Sequence, residues 1–311
     1  MKIVFMGTPQ AAVPSLERLL EDGHEIVAVY TQPDRPSGRG KKLRSSPVKL
    51  FAAEKDLPVF QPLNIRTAEA ISEFRSSGAD VTVVIAYGRI LPQEFLNAFR
   101  YGAINVHFSL LPKYRGAAPV NWAIVNGDTV TGVTTMRMDA GLDTGDILLQ
   151  DRSTIDERET SEHLLARLAE LAPEVLSRTL TEIDSIVAIP QDDSEATLAP
   201  ILKREDGEID WKKTATVIAN RVRGFQPFPS AFTFREGKRL TIWSAVEEKN
   251  RDIKASEPGK IMIAHGEDLL VSCGNGTLLR IEELQIEGRQ RMAVRAFLNG
   301  VKLEAGEFLG Q

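Results

Sequence analysis

Lys2-Ile3-Val4-Phe5-Met6-Gly7-Thr8-Pro9 opens the chain, followed by Ala11 to Leu20 and then Ile26 to Tyr30. Ile3 to Met6 is an unbroken apolar run, as a strand covered on both faces requires. Gly7-Thr8-Pro9 turns the chain; Thr8 can cap the next helix and Pro9 suits its first turn. Leu16, Leu19 and Leu20 recur at helical spacing and form one apolar stripe. Gly23 ends that helix, and Ile26 to Tyr30 is a second buried strand. Strand, turn, helix, strand is the opening of a parallel α/β sheet, because parallel neighbours need a crossover between them. The turn lacks three spaced glycines and a Gly-Lys-Ser/Thr ending, so it is assigned no phosphate-binding role.

The same alternation continues outward. Val48 to Lys55 predicts a helix, Leu57 to Gln61 a short strand and Ala68 to Arg75 a helix. Val81 to Gly88 is nearly all apolar, as a central parallel strand should be. Ala103 to Val106 is another apolar strand, Ala117 to Val125 a helix, and Val130 to Met138 a strand rich in β-branched residues. Ile147-Leu148-Leu149 is apolar, and Glu159 to Ile183 is a long amphipathic helix containing Pro173. Between Ile189 and Glu208 periodicity is lost, which reads as a linker. Val217 to Val222 is a helical turn or two. Five short runs follow, namely Ala231–Phe234, Leu240–Val246, Lys260–Ala264, Leu269–Ser272 and Leu278–Leu284, and Met292 to Leu298 is a closing helix. Short strands so closely spaced suggest a small antiparallel barrel. The expected architecture is α/β: a Rossmann-like, mostly parallel sheet domain over residues 1–189, a linker over 190–207, and a small OB-like antiparallel β-barrel domain over 208–311.

A length of 311 residues suits two domains. The single cysteine, Cys273, excludes an internal disulfide and fits a reducing compartment. With no His nearby in sequence, a small buried residue is the better reading of it than a reactive thiol. No apolar run approaches the roughly 20 residues that span a bilayer, and the N-terminus is too short for a signal peptide, so cytoplasm is the expected location. The net charge of -5 argues against a general nucleic-acid coat protein. It is unevenly spread: 22 cations against 29 anions in residues 1–206 give -7, and 16 against 14 in residues 207–311 give +2. The second part is the more tolerant of a polyanion.

Chemistry concentrates in Asn105-Val106-His107-Phe108-Ser109-Leu110-Leu111-Pro112. Asn105 and His107 are two apart on an extended segment and share a side. An amide that can polarise a carbonyl thus stands beside an imidazole that can move a proton near neutral pH. Further on, Met138-Asp139-Ala140-Gly141-Leu142-Asp143-Thr144-Gly145-Asp146 offers carboxylates that can orient the ring, although sequence separation does not show that the two turns meet. Transfer of a small acyl unit to an amine needs an oxyanion stabiliser, a base, and a group that holds the base. Asn105, His107 and Asp143 can fill these roles. No Ser or Cys sits in a nucleophile elbow, so direct transfer is preferred over a covalent intermediate. Each residue has a plainer reading: a structural His, an Asn capping a turn, aspartates forming loops beside glycines. A metal site is not supported, since no His or Cys cluster accompanies His107.

Two other segments belong to this picture. Tyr87-Gly88-Arg89-Ile90-Leu91 leaves the carboxyl end of a central strand, where ligands of open α/β sheets bind. It can wall a flat aromatic ligand or simply pack an edge. The loop from Thr31 to Pro47 carries Arg35, Arg39, Lys41, Lys42 and Arg44 against one acid, Asp34. It is either a solvated loop or a phosphate-neutralising one.

Asn105-Val106-His107-x-Ser109-Leu110-Leu111-Pro112 together with Gly141-Leu142-Asp143-Thr144-Gly145-Asp146 resembles the signature of the 10-formyltetrahydrofolate-dependent formyltransferases. The Asn, His and Asp of that signature fall on Asn105, His107 and Asp143. Phe5-Met6-Gly7-Thr8-Pro9, Thr31-Gln32-Pro33-Asp34-Arg35-Pro36, Gly38-Arg39-Gly40-Lys41-Lys42-Leu43, Tyr114-Arg115-Gly116-Ala117-Ala118-Pro119 and Ile209-Asp210-Trp211 extend the likeness over nearly the whole chain, toward the branch of the family that formylates a tRNA-borne methionine. The resemblance implies formyl transfer from 10-formyltetrahydrofolate, a cosubstrate, to the α-amino group of methionyl initiator tRNA for translation initiation, with no metal and no membrane. It implies a folate site at Tyr87, Gly88, Arg89, Ile90 and Leu91 and at Ser109, Leu110, Leu111 and Pro112. It also implies tRNA contacts from Arg35, Arg39, Lys41, Lys42 and Arg44 and from the barrel. A monomer is the expected state. Phe108 departs from the small residue the family more often carries, and on the strand it should face away from Asn105 and His107. Two alternatives are a formyltransferase for a small amine, disfavoured by the basic loop and barrel, and a non-catalytic RNA- or folate-binding module, disfavoured by the intact Asn105, His107 and Asp143.

Overall fold

A computed structural model describes residues 1–37, 42–249 and 253–310. The chain forms two compact units. Met1–Pro119, Val130–Thr154 and Leu165–Ala199 make the first; Val120–Thr129, Ile155–Leu164 and Pro200–Gln311 make the second.

The first unit is built on a seven-stranded sheet. The strand Lys2–Gly7 lies inside it, parallel to Glu25–Tyr30 on one side and to the central strand Val81–Ile85 on the other. Val59–Phe60 and Ala103–His107 extend the two sides, again in parallel. Val130–Arg137 and then Ile147–Thr154 complete the sheet antiparallel. This is the mostly parallel Rossmann-like sheet expected from the sequence. Val81–Ile85 and Ala103–His107 are buried at every position, which is why they read as apolar runs. Ile147–Thr154 is an edge strand of eight residues. Only its first three residues are apolar, because the remainder is partly exposed and polar.

Thr8 does not cap the first helix. Gln10–Ala12 is a 3-10 turn and the α-helix runs Val13–Glu21, with a proline in its first turn and no side-chain cap. The Thr8 hydroxyl instead donates to the Tyr87 carbonyl at 3.1 Å, tying together the ends of two neighbouring strands. Ser46 and Thr67 do cap their helices, Pro47–Glu54 and Ala68–Ser76, by accepting from the backbone N–H groups of Lys49 and Ala70. The long helix is Ser161–Thr181 and it carries Pro173 within it.

In the second unit the strands Phe232–Arg235, Lys238–Glu247, Leu278–Ile286, Asp268–Ser272 and Ile261–His265 pair antiparallel in that order, and Met292–Ala293 also pairs with Leu278–Ile286. The register of Lys238–Glu247 shifts twice, a bulge pattern that bends a sheet, and the result is a curled antiparallel half-barrel. Its core gathers Trp211, Ile218, Ile242, Leu279 and Phe297. Cys273 is buried in the same core, and burial pushes its thiol up to about 12. Among the described residues no helix is long and apolar enough to cross a membrane.

Candidate active site

Asn105 and His107 stand on the strand Ala103–His107 and are both buried. Asp143 lies in the turn that follows Val130–Arg137. The two turns do meet. Met136 pairs with Asn105 on one side and with Ile147 on the other, so both ends of the acidic turn are fixed at the level of Asn105 in the sheet. Asp143 adopts a left-handed backbone conformation with φ 54°, unusual for a non-glycine residue.

Each nitrogen of the His107 ring faces an oxygen, and one of them is hydrogen-bonded. Nε2 lies 2.9 Å from the Tyr114 carbonyl oxygen. That oxygen can only accept, so Nε2 carries a proton and Nδ1 is the nitrogen free to gain or lose one. Nδ1 faces Asp143 Oδ2 at 3.7 Å. The Tyr114 carbonyl thus sets the tautomer, and Asp143 faces the other ring nitrogen. Asn105 Nδ2 is 3.5 Å from Asp143 Oδ1, beyond the ordinary range for such a bond, which leaves the amide available to another acceptor. Asp143 Oδ2 accepts from the Gly116 backbone N–H at 2.8 Å.

The segment read as a linker contributes to this arrangement. Gln191 Nε2 donates to the carbonyls of Asp143 at 2.9 Å and Gly145 at 2.7 Å. Its Oε1 accepts from Arg115 Nε at 3.0 Å. Arg115 is buried, and its guanidinium also lies 2.8 Å from Asp193. Leu198–Ala199 then pairs in parallel with Arg115–Gly116. Tyr114, Arg115, Gly116 and Gln191 were not singled out as functional in the sequence. A backbone carbonyl and a backbone N–H leave no trace in residue type, and Gln191 lies in a polar stretch without periodicity.

The segment from Ser109 to Pro112 is braced from behind. Thr134 Oγ1 donates to the Ser109 carbonyl at 2.6 Å and accepts from the Leu111 N–H at 3.2 Å. Gln150 Nε2 donates to the Leu111 carbonyl at 2.8 Å, and the Ser109 hydroxyl to that of Lys113 at 2.7 Å. Ser109, Leu111 and Phe108 are buried, while Leu110 and Pro112 are half-buried. In the other segment the Tyr87 ring lies in the core with Met6, Tyr30 and Phe95, and burial pushes its phenol above the ordinary value. Its carbonyl accepts from Thr8 and from Gln32 Nε2 at 3.1 Å. Arg89 is drawn down onto Gln32 Oε1 and the carbonyls of Pro62 and Leu63. Leu91 is buried, Gly88 has φ 85°, and Ile90 is 73% exposed, so the apolar surface on offer here is Ile90 rather than Tyr87.

Of the five loop cations, Arg39 and Lys41 lie outside the described residues. Arg35 and Arg44 are exposed and face each other across a short antiparallel hairpin, Arg35–Ser37 with Lys42–Arg44. The loop from Thr31 to Pro47 thus includes two short extended stretches. Its base is anchored by Asp34, which takes Lys49 Nζ at 2.7 Å and Gln61 Nε2 at 2.9 Å. The Lys49 ammonium, then the Gln61 amide, hold the Asp34 carboxyl below its ordinary value. Among the described residues no group of three or more His, Cys, Asp or Glu is placed to hold a metal ion.

The family model described as "Formyl transferase" matches residues 1–180, and that described as "Formyl transferase, C-terminal domain" matches residues 201–302. The chain belongs to the formyl transferase family. It is 48% identical to the methionyl-tRNA formyltransferase of Geobacter sulfurreducens, over 100% of this chain and 97% of that protein. It is 50% identical to that of Koribacter versatilis, over 100% of this chain and 99% of that one. Among solved structures the fold resembles WlaRD, a sugar 3N-formyl transferase, with TM-score 0.67 and 21% identity over 93% of this chain and 99% of that chain. It also resembles a methionyl-tRNA formyltransferase from Clostridium thermocellum, with TM-score 0.58 and 18% identity over 81% of this chain and 95% of that chain.

Proposed function

We propose that the chain transfers the formyl group of 10-formyltetrahydrofolate to the α-amino group of methionyl initiator tRNA. The observation that carries this reading is the meeting of Asn105, His107 and Asp143 in a formyl transferase whose full length aligns with methionyl-tRNA formyltransferases.

The amine attacks the formyl carbon directly and the C–N bond forms. Charge develops on the formyl oxygen, and Asn105 donates to it; its long contact with Asp143 costs little to exchange for this one. The amine's proton passes to the side of the ring where His107 Nδ1 faces Asp143, since Nε2 is already committed to the Tyr114 carbonyl. The bond from the carbon to the folate nitrogen then breaks, and that nitrogen leaves with a proton as tetrahydrofolate. Nothing in this sequence of steps needs a metal. The exposed Ile90, the backbone at Gly88, and the braced segment Ser109 to Pro112 suit the two sides of a flat folate ring. The first compact unit, which includes Gln191, carries the reaction. Residues 208–311 and the cations Arg35, Arg39, Lys41, Lys42 and Arg44 hold the tRNA.

The test is formyl release with a panel of acceptors: methionyl initiator tRNA, an amino-sugar nucleotide, glycinamide ribonucleotide and none. Release with the charged tRNA alone is expected; release with a small amine alone would refute the reading. His107→Ala and Asp143→Ala should each lower turnover about 10²- to 10⁴-fold with the fold intact. Near-normal formylation by either would remove these residues from the chemistry.

A further inference from the structure

We infer that Gln191 is a positioning residue for the transfer, acting through Asp143; this rests on the function proposed above. Asp143 sits in a left-handed conformation that a non-glycine residue holds only when its surroundings over-determine it. Its grip is a closed circuit. Gln191 Nε2 binds the Asp143 backbone carbonyl, and Gln191 Oε1 binds Arg115 Nε. The chain passes from Arg115 to Gly116, whose N–H binds the Asp143 carboxylate. Asp143 is thus held at its main chain and at its side chain by one connected unit. The second Gln191 donor takes the Gly145 carbonyl, so the turn is fixed at two points.

The residue type follows from this circuit. The position must donate twice, to two carbonyls, and accept once, from a guanidinium. A glutamine amide does this. A glutamate of the same length keeps the acceptor and loses both donors, and it sets a carboxylate against two carbonyl oxygens. A methionine keeps the volume and loses all three bonds. Gln191, Arg115 and Asp143 all belong to the first compact unit. The stretch that reads as a linker therefore begins inside the reaction machinery.

The experiment compares wild type, Gln191→Met and Gln191→Glu, each alone and on an Asp143→Asn background. Turnover and both KM values are measured with methionyl-tRNA, alongside the unfolding temperature. Loosening a reacting group by an ångström costs on the order of 10² in rate. Both single variants should lose about 10²-fold in kcat, keep both KM values within about 3-fold, and unfold cooperatively above the assay temperature. On the Asp143→Asn background either change should cost less than about 3-fold, because its target is already disabled. Wild-type kcat in either single variant, a loss confined to KM, or the full loss persisting on the Asp143→Asn background would each overturn the inference. A wild-type chain that forms no formylated tRNA would overturn the proposed function instead.

Discussion

Gly145→Ala isolates the geometric demand of the acidic turn. A Cβ at this position would lie 1.7 Å from the Arg137 carbonyl oxygen, 2.9 Å from the Arg137 carbonyl carbon and 3.3 Å from the Asp139 nitrogen. All three are backbone atoms, so no rotamer relieves the clash. Restoring even 3.0 Å to the oxygen requires a displacement of about 1.3 Å. The Arg137 N–H is bonded to the Asp146 carbonyl at 2.9 Å, so the strand end and the turn move together or part. A shift of that size breaks the 2.8 Å bond from Gly116 to the Asp143 carboxylate and carries Asp143 away from His107. The expected result is a fall in kcat of about 10²-fold or more, with a loss of stability of about 1–3 kcal/mol from overpacking. Gly141→Ala is the control. There the added Cβ meets the Thr144 side chain, its hydroxyl at 1.9 Å and its Cβ and Cγ2 at 3.1 and 3.2 Å; the hydroxyl can rotate away from Asp139 and the rest must give by a few tenths of an ångström. It should cost one hydrogen bond, about 1 kcal/mol, and less than about 10-fold in turnover. Single-turnover formylation of methionyl-tRNA and thermal unfolding read both. Gly145→Ala within about 3-fold of wild type, or equal losses at the two glycines, would refute the positional reasoning.

Replacing Arg35, Arg39, Lys41, Lys42 and Arg44 by alanine should raise the KM for charged tRNA. It should also flatten its log–log salt dependence by about 0.7–0.9 for each phosphate that is no longer neutralised. A change confined to the folate KM would show that the loop serves the donor instead. Cys273 should not react with a disulfide reagent in the native protein at pH 8: burial holds its thiol up at about 12, and the protonated form is the unreactive one. Unfolding should release one reactive thiol per chain; stoichiometric labelling of the folded protein would contradict the burial.

Residue type and period alone determined a good deal of this protein. Ile3 to Met6, Ile26 to Tyr30, Val81 to Ile85 and Ala103 to Val106 are covered on both faces, so each reads as an apolar run, and their parallel order follows from the crossovers between them. Asn105 and His107 were legible as a pair because alternation on a strand is rigid. Asp143 could be named from its turn and from the family signature, but its place beside His107 could not. Its approach to His107 depends on Met136 pairing with Asn105 and Ile147 at once, a register no local pattern contains. Thr8 shows the limit from the other direction: its type suits a helix cap, yet the neighbouring strand end offers the Tyr87 carbonyl and takes the hydroxyl instead. Tertiary structure alone decided the His107 tautomer, through the Tyr114 carbonyl, and the clamp on Asp143, through the Gly116 N–H and Gln191. Backbone donors and acceptors are the same at every residue, so only the folded chain selects which of them face the site.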